Sequence, residues 1–105
     1  MSQRGWTRRT VRLWMTTGFL ETQAWWKDET PYFAYHHVVN AEGEVGPGWK
    51  VTHIPTGAAL TPVLFHSREE AFSFGTRMKD VVDWSQDDYV AIIQALRERH
   101  YNVGG

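Results

Sequence analysis

The sequence predicts an α+β domain: an antiparallel meander of three to five strands followed by two C-terminal helices packed on the sheet. Three observations carry this expectation. Between Thr10 and Phe65 the chain runs in short segments of alternating or β-branched and aromatic residues, separated by turn signals. The links between those segments are short, which favours antiparallel hairpins. From Ser67 onward the apolar residues recur at three- and four-residue spacing instead, the period of a helix with one buried face.

The elements follow in order. Residues 1–9 are polar and basic and are expected to fray, as are residues 102–105. Over Thr10–Met15, Val11, Leu13 and Met15 share one face of an extended chain, and Arg12 and Trp14 the other. Thr16-Thr17-Gly18 reads as a turn. Phe19–Lys27 reads as a second strand, with a helical alternative through Leu20, Ala24 and Lys27. Asp28–Pro31 is a loop, and Tyr32–Asn40 is dense in the residues strands prefer. Glu42–Gly48, with three glycines and a proline, reads as a hairpin loop before a returning strand at Trp49–Ile54. Pro55-Thr56-Gly57 is a tight turn, with Gly57 where positive φ is expected. Ala58–Phe65 reads as a further strand, placed at an edge or bulged by Pro62.

Ser67 with Glu70 three residues on is a capping box. Ala71, Phe74, Gly75, Met78, Val81 and Val82 then form an apolar stripe. Asp83-Trp84 breaks it. Ser85 is expected to open a second helix, with Asp87 and Asp88 in its first turn and Tyr89, Ile92, Ile93 and Leu96 as its stripe. Arg97, Arg99 and His100 fall in the last turn, where cations suit the helix dipole.

A chain of 105 residues is read as a single domain spanning residues 1–105. It should bury roughly 60–70% of its unfolded surface. Six tryptophans are more large rings than so small a core hides easily, which places some of them at the surface or in an interface. The net charge of −1 gives no global attraction to nucleic acid or to an anionic membrane. Yet Arg4, Arg8, Arg9 and Arg12 lie in the first twelve residues with no acid among them. The absence of cysteine excludes disulfides and thiolate metal sites. With no secretory leader and no run of 18 apolar residues, a cytoplasmic protein without membrane contact is expected.

Motifs for chemistry are sparse. His36, His37 and His53 lie on strands joined by the 41–48 loop. If Asn40 pairs with Trp49, His36 faces His53, a weak candidate pair of metal ligands. If the register slips by one, His37 and His53 share a face without opposing each other. A zinc site needs more ligands than this pair offers. Ser67 and Ser85 read as helix caps, and no Gly-x-Ser-x-Gly occurs. The pairs Glu69/Glu70 and Asp87/Asp88 sit where helix dipoles favour carboxylates. Gly43–Gly48 lacks the Lys-Ser/Thr ending of a phosphate loop. No catalytic residue and no cofactor is assigned.

Trp49-Lys-Val-Thr-His-Ile-Pro-Thr-Gly57 followed by Ser67-Arg-Glu-Glu-Ala71 resembles small uncharacterised proteins carried by phages and actinobacteria. The resemblance spans residues 49–71 and implies a setting among mobile-element accessory proteins, with no activity attached. The three-strands-then-helix order is also similar to the sheet-reading DNA-binding domains of plant transcription factors and phage integrase arms.

The functional expectation is a small non-enzymatic binding module, a regulator or inhibitor that acts through protein–protein contacts. Its anchors would be Trp6, Trp14, Trp25 and Trp26, with Arg8, Arg9 and Arg12 around them, since interface energy concentrates in Trp, Tyr and Arg. The alternative is nucleic-acid binding through Arg4, Arg8, Arg9, Arg12 and Lys50, with indoles stacking on unpaired bases. A homodimer would bring two arginine arms together.

Overall fold

The computed structural model describes residues 5–99; residues 1–4, with Arg4, and residues 100–105, with His100, lie outside the described residues. Four strands precede two helices: β1 (Trp6–Met15), β2 (Gly18–Lys27), β3 (Phe33–Val39), β4 (Val45–His53), α1 (Arg68–Met78) and α2 (Tyr89–Glu98). The strands form one antiparallel sheet in the order β1-β2-β3-β4. This is the expected α+β meander, and residues 19–27 take the strand reading.

Four boundaries differ from expectation. Residues 6–9, expected to fray, pair with residues 24–27 of β2. Arg8 and Arg9 lie over the Trp25 and Trp26 rings of that strand, a long-range gain that a local pattern does not register. The 42–48 loop shrinks because β4 begins at Val45. The Asn40 side-chain oxygen accepts the backbone N–H groups of Glu42 and Glu44 at 3.0 and 2.9 Å, closing a tighter turn. Ala58–Phe65 is not a strand. It meets β4 only at the bridges Thr52↔Ala59 and Trp49↔Phe65, because Pro62 has no N–H to give and the segment around it bows outward with Val63 and Leu64 exposed. Finally, α2 starts at Tyr89, and Asp88 is its cap, its carboxylate accepting the Ala91 N–H at 3.1 Å. Ser85 belongs instead to a turn, where the Asp83 carboxylate accepts both its N–H and its hydroxyl.

Both faces of the sheet are covered. On one, Phe33, Tyr35 and Val51 pack against Ala71, Met78, Trp84, Ile92 and Leu96. α1 is held there by its cap, the Ser67 hydroxyl accepting the Glu70 N–H at 3.1 Å, and by Gly75, which lies against the Tyr35 ring. On the other face, Val11 and Leu13 of β1 reach Ala24 and Ala34. That second core exists because the sheet is curled. β1 and β4 stand at opposite edges of the strand order, yet the Trp14 N–H donates to the Gly57 carbonyl just after β4 at 2.8 Å. The β1–β2 hairpin is joined to β3 at Trp25↔Tyr35 and Trp26↔Ala34, so its distal half is released to bend over the concave face. Gly57 permits the closure. Its φ is +76°, and a Cβ there would lie 2.8 Å from the Arg12 carbonyl oxygen.

The β3–β4 register overturns the paired-histidine expectation. His36 opposes Lys50, and His53 opposes Phe33. His36 therefore faces the concave core and His53 the helices, so no two-ligand site can form from them. His37 does share the face of His53, its ring centroid 4.1 Å from that of Trp49 and tilted by 40°.

Candidate interaction surface

The alternation of β1 divides the predicted site residues between two faces. Paired positions in an antiparallel ladder share a face. Trp6, Arg8, Arg12 and Trp14 accordingly lie with Phe19, Trp25 and Lys27 on the side that carries the helices. Arg9 and Trp26 lie on the opposite, concave side, with the Arg9 guanidinium 4.5 Å from the Trp26 ring centroid. So five of the seven expected partner-binding residues are brought together, and Arg9 and Trp26 are not. Lys50, one of the expected nucleic-acid contacts, also faces the concave side, away from the arginines of the exposed face.

The helix-side face of the hairpin runs out beyond the helices into solvent. Its distal end presents Trp14 and Phe19, 54% and 55% exposed. The Arg12 guanidinium lies 4.2 Å over Phe19, and the edge of Tyr89 meets Trp14 at 5.4 Å. Toward the base, Arg8 approaches Trp25 at 5.8 Å. Arg68, arriving from α1, lies 4.9 Å from Trp25 and 4.4 Å from Trp6. Lys27 sits 4.8 Å from Trp6 and 4.9 Å from Phe72. Trp6 itself is anchored edge-on against Tyr35 and Phe72. The result is a row of aromatic rings covered by cations.

Each such contact is worth roughly 0.5–1 kcal/mol at an exposed site. Its larger effect is orientation. A guanidinium lying on a ring keeps its planar N–H edge free for a carboxylate or phosphate. Among the described residues no carboxylate is ion-paired with Arg8, Arg9 or Arg12, whereas Arg68 meets Glu69 at 3.3 Å. The faces of Trp6 and Trp25 already carry cations of this chain, which leaves them poorly placed to stack on bases.

Phe19, Lys27, Phe72 and Tyr89 were missed by sequence reasoning. Phe19 was recoverable, since a two-residue turn at Thr16-Thr17 sets it opposite Trp14. Phe72 and Tyr89 arrive through tertiary packing and leave no local signal.

The motif around Thr52–Gly57 proves to be scaffolding. A backbone carbonyl can only accept, so His53 Nε2 carries the proton it gives to the Trp84 carbonyl at 2.7 Å. Nδ1 then accepts the Thr56 hydroxyl at 2.8 Å. The Trp84 indole in turn donates to the Met78 carbonyl at 2.7 Å. This chain of bonds ties the turn after β4 to the segment between the helices. On the concave side, His36 Nδ1 donates to the His37 carbonyl and Nε2 accepts the Thr52 hydroxyl, both at 2.7 Å. Burial pushes the pKa of each imidazole below its usual value, keeping it neutral.

No helix among the described residues is long and apolar enough to cross a membrane. Comparison with protein-family models, curated proteins and solved structures finds no match.

Proposed function

We propose that this chain is a non-enzymatic binding module, a regulator or inhibitor of another protein, and that the exposed helix-side face of the β1–β2 hairpin is its docking surface. The observation that carries the reading is the row of cation-covered rings from Trp6 to Phe19, ending in two aromatic side chains more than half exposed. Trp and Arg dominate interface energetics, and a guanidinium held flat on a ring loses little further freedom on binding. The partner would offer carboxylates to Arg8 and Arg12 and an apolar patch to Trp14 and Phe19. The phage-type setting implied by the resemblance over residues 49–71 suits such a role.

The test is crosslinking of the purified protein in extract of its source cells, with wild type and Arg8→Glu/Arg12→Glu compared. The wild type should give a discrete protein adduct, and the variant should weaken it by about thirty-fold, near 2 kcal/mol. The variant should fold normally, because both arginines are exposed. Equal adducts from both proteins would refute the proposal. Steeply salt-dependent binding of oligonucleotides would replace it with nucleic-acid recognition.

A further inference from the structure

Where the distal half of the hairpin parts from β3, a cleft of about 150 Å³ opens on the concave side of the sheet. Its walls include Leu13 and Met15 from β1, Val38 and Val39 from β3, and Ala59. His36 and Thr52, each 2% exposed, contribute its polar part. Lys50 also lines it and is the one charged side chain among the lining residues; no carboxylate joins it. His36 and Thr52 satisfy each other, as described above, and the imidazole is neutral. Lys50 is half-buried, and none of the described residues gives it an ion pair or hydrogen bond.

A cation held beside apolar walls, with no counter-charge in the cleft, is the arrangement that selects an anion with an apolar body. A neutral apolar molecule would leave the ammonium unmatched, and a cation would be repelled. The size limits the body to about that of one benzene ring, since a cavity of roughly 150 Å³ accepts benzene.

We propose that this cleft binds a small aromatic or branched aliphatic carboxylate, with Lys50 holding the carboxylate and Leu13, Met15 and Val39 clasping the apolar part. The Thr52 hydroxyl has given its proton to His36 and offers only lone pairs. It therefore turns away the carboxylate, which leaves Lys50 as the head-group contact. This site lies on the opposite face of the hairpin from the docking surface, and the proposal stands whether or not that surface binds a partner.

Benzoate is the probe, with benzyl alcohol and benzylamine as neutral and cationic controls of similar shape. The readout is chemical-shift change in an amide and methyl NMR titration of the intact chain. Benzoate is expected to shift Leu13, Met15, Lys50 and Thr52 with a Kd in about the millimolar range, modest for so few atoms. Benzyl alcohol should bind about tenfold more weakly and benzylamine not at all, the loss expected for one charge-assisted contact. Lys50→Met should weaken benzoate about tenfold, and Lys50→Arg should retain it, which separates loss of charge from loss of fold. Equal affinity for benzoate and benzyl alcohol would overturn the proposal. So would unchanged binding by Lys50→Met, or shifts confined to Arg8, Arg9 and Arg12, which would mark anion binding by the arginines instead.

Discussion

Replacing Gly75 by alanine separates two physical effects of opposite sign. Gly75 lies inside α1, and helix propensity alone predicts that Gly75→Ala stabilises by about 1 kcal/mol. The packing predicts the reverse. A Cβ at this position would meet the Tyr35 hydroxyl oxygen well inside contact distance and the ring Cζ at 3.0 Å. Tyr35 is fully buried and cannot swing away, and its hydroxyl bonds the buried Thr30 hydroxyl at 2.7 Å. Overpacking at such a site costs about 1–3 kcal/mol. Displacing the hydroxyl from its partner adds roughly 1–3 kcal/mol. Taken at mid-range and set against the propensity gain, the net change is a loss of about 3 kcal/mol, which lowers Tm by about 15 °C in a chain this size. Thermal and urea unfolding followed by circular dichroism measure it. Tyr35→Phe in the Gly75→Ala background removes the obstructing oxygen, so the double variant should be more stable than the sum of the singles by at least about 0.5 kcal/mol. Unchanged or raised stability for Gly75→Ala, the result for a glycine facing solvent, would refute the packing argument.

Two further outcomes follow from the packing and the buried histidines. Gly57→Ala should destabilise by about 1–3 kcal/mol and loosen the hairpin, because it combines a positive φ with a Cβ driven against the backbone of β1; hydrogen exchange at the Trp14 amide reports the loosening, and unchanged protection there would count against the curled sheet. Stability should also fall on acidification. His36 and His53 are held neutral below their usual pKa, so the unfolded chain binds more protons than the folded one as pH drops below about 6.5. Each contributes a stability fully present above that pH and lost toward the folded pKa, at up to about 1.4 kcal/mol per pH unit. A urea midpoint identical at pH 7 and pH 5 would contradict it.

The order of elements was readable because it rests on local signals: alternation in β1, aromatic and β-branched density in β3, the cap at Ser67. The failures have a common physical cause, which is that long-range contacts decide where local preference is weak. Residues 6–9 look like a polar arm until β2 supplies rings for their arginines. Ala58–Phe65 has strand-like composition, but Pro62 and the outward bow restrict it to two bridges. The histidines turned on the register, which the Asn40 turn and the irregularity between His37 and Val39 set together when composition allowed several. Of the candidate surface, the tryptophans and arginines of one strand were visible. Arg68 joins them only because α1 packs back across the sheet.

The same alternation gives β1 two distinct jobs. Its odd-numbered residues Val11, Leu13 and Met15 close the concave core and wall the cleft, while the even-numbered Arg8, Arg12 and Trp14 stand on the exposed face. Both depend on one register, since a one-residue slip would send the arginines inward and the aliphatic residues to solvent. That register is pinned at one end by the two-residue turn at Thr16-Thr17 and, across the fold, by the Trp14–Gly57 hydrogen bond. The Thr52–Gly57 motif thus bears on the hairpin surface without contributing a side chain to it. His53 and Thr56 hold the turn, the turn presents the Gly57 carbonyl, and that carbonyl fixes which face of β1 is turned outward.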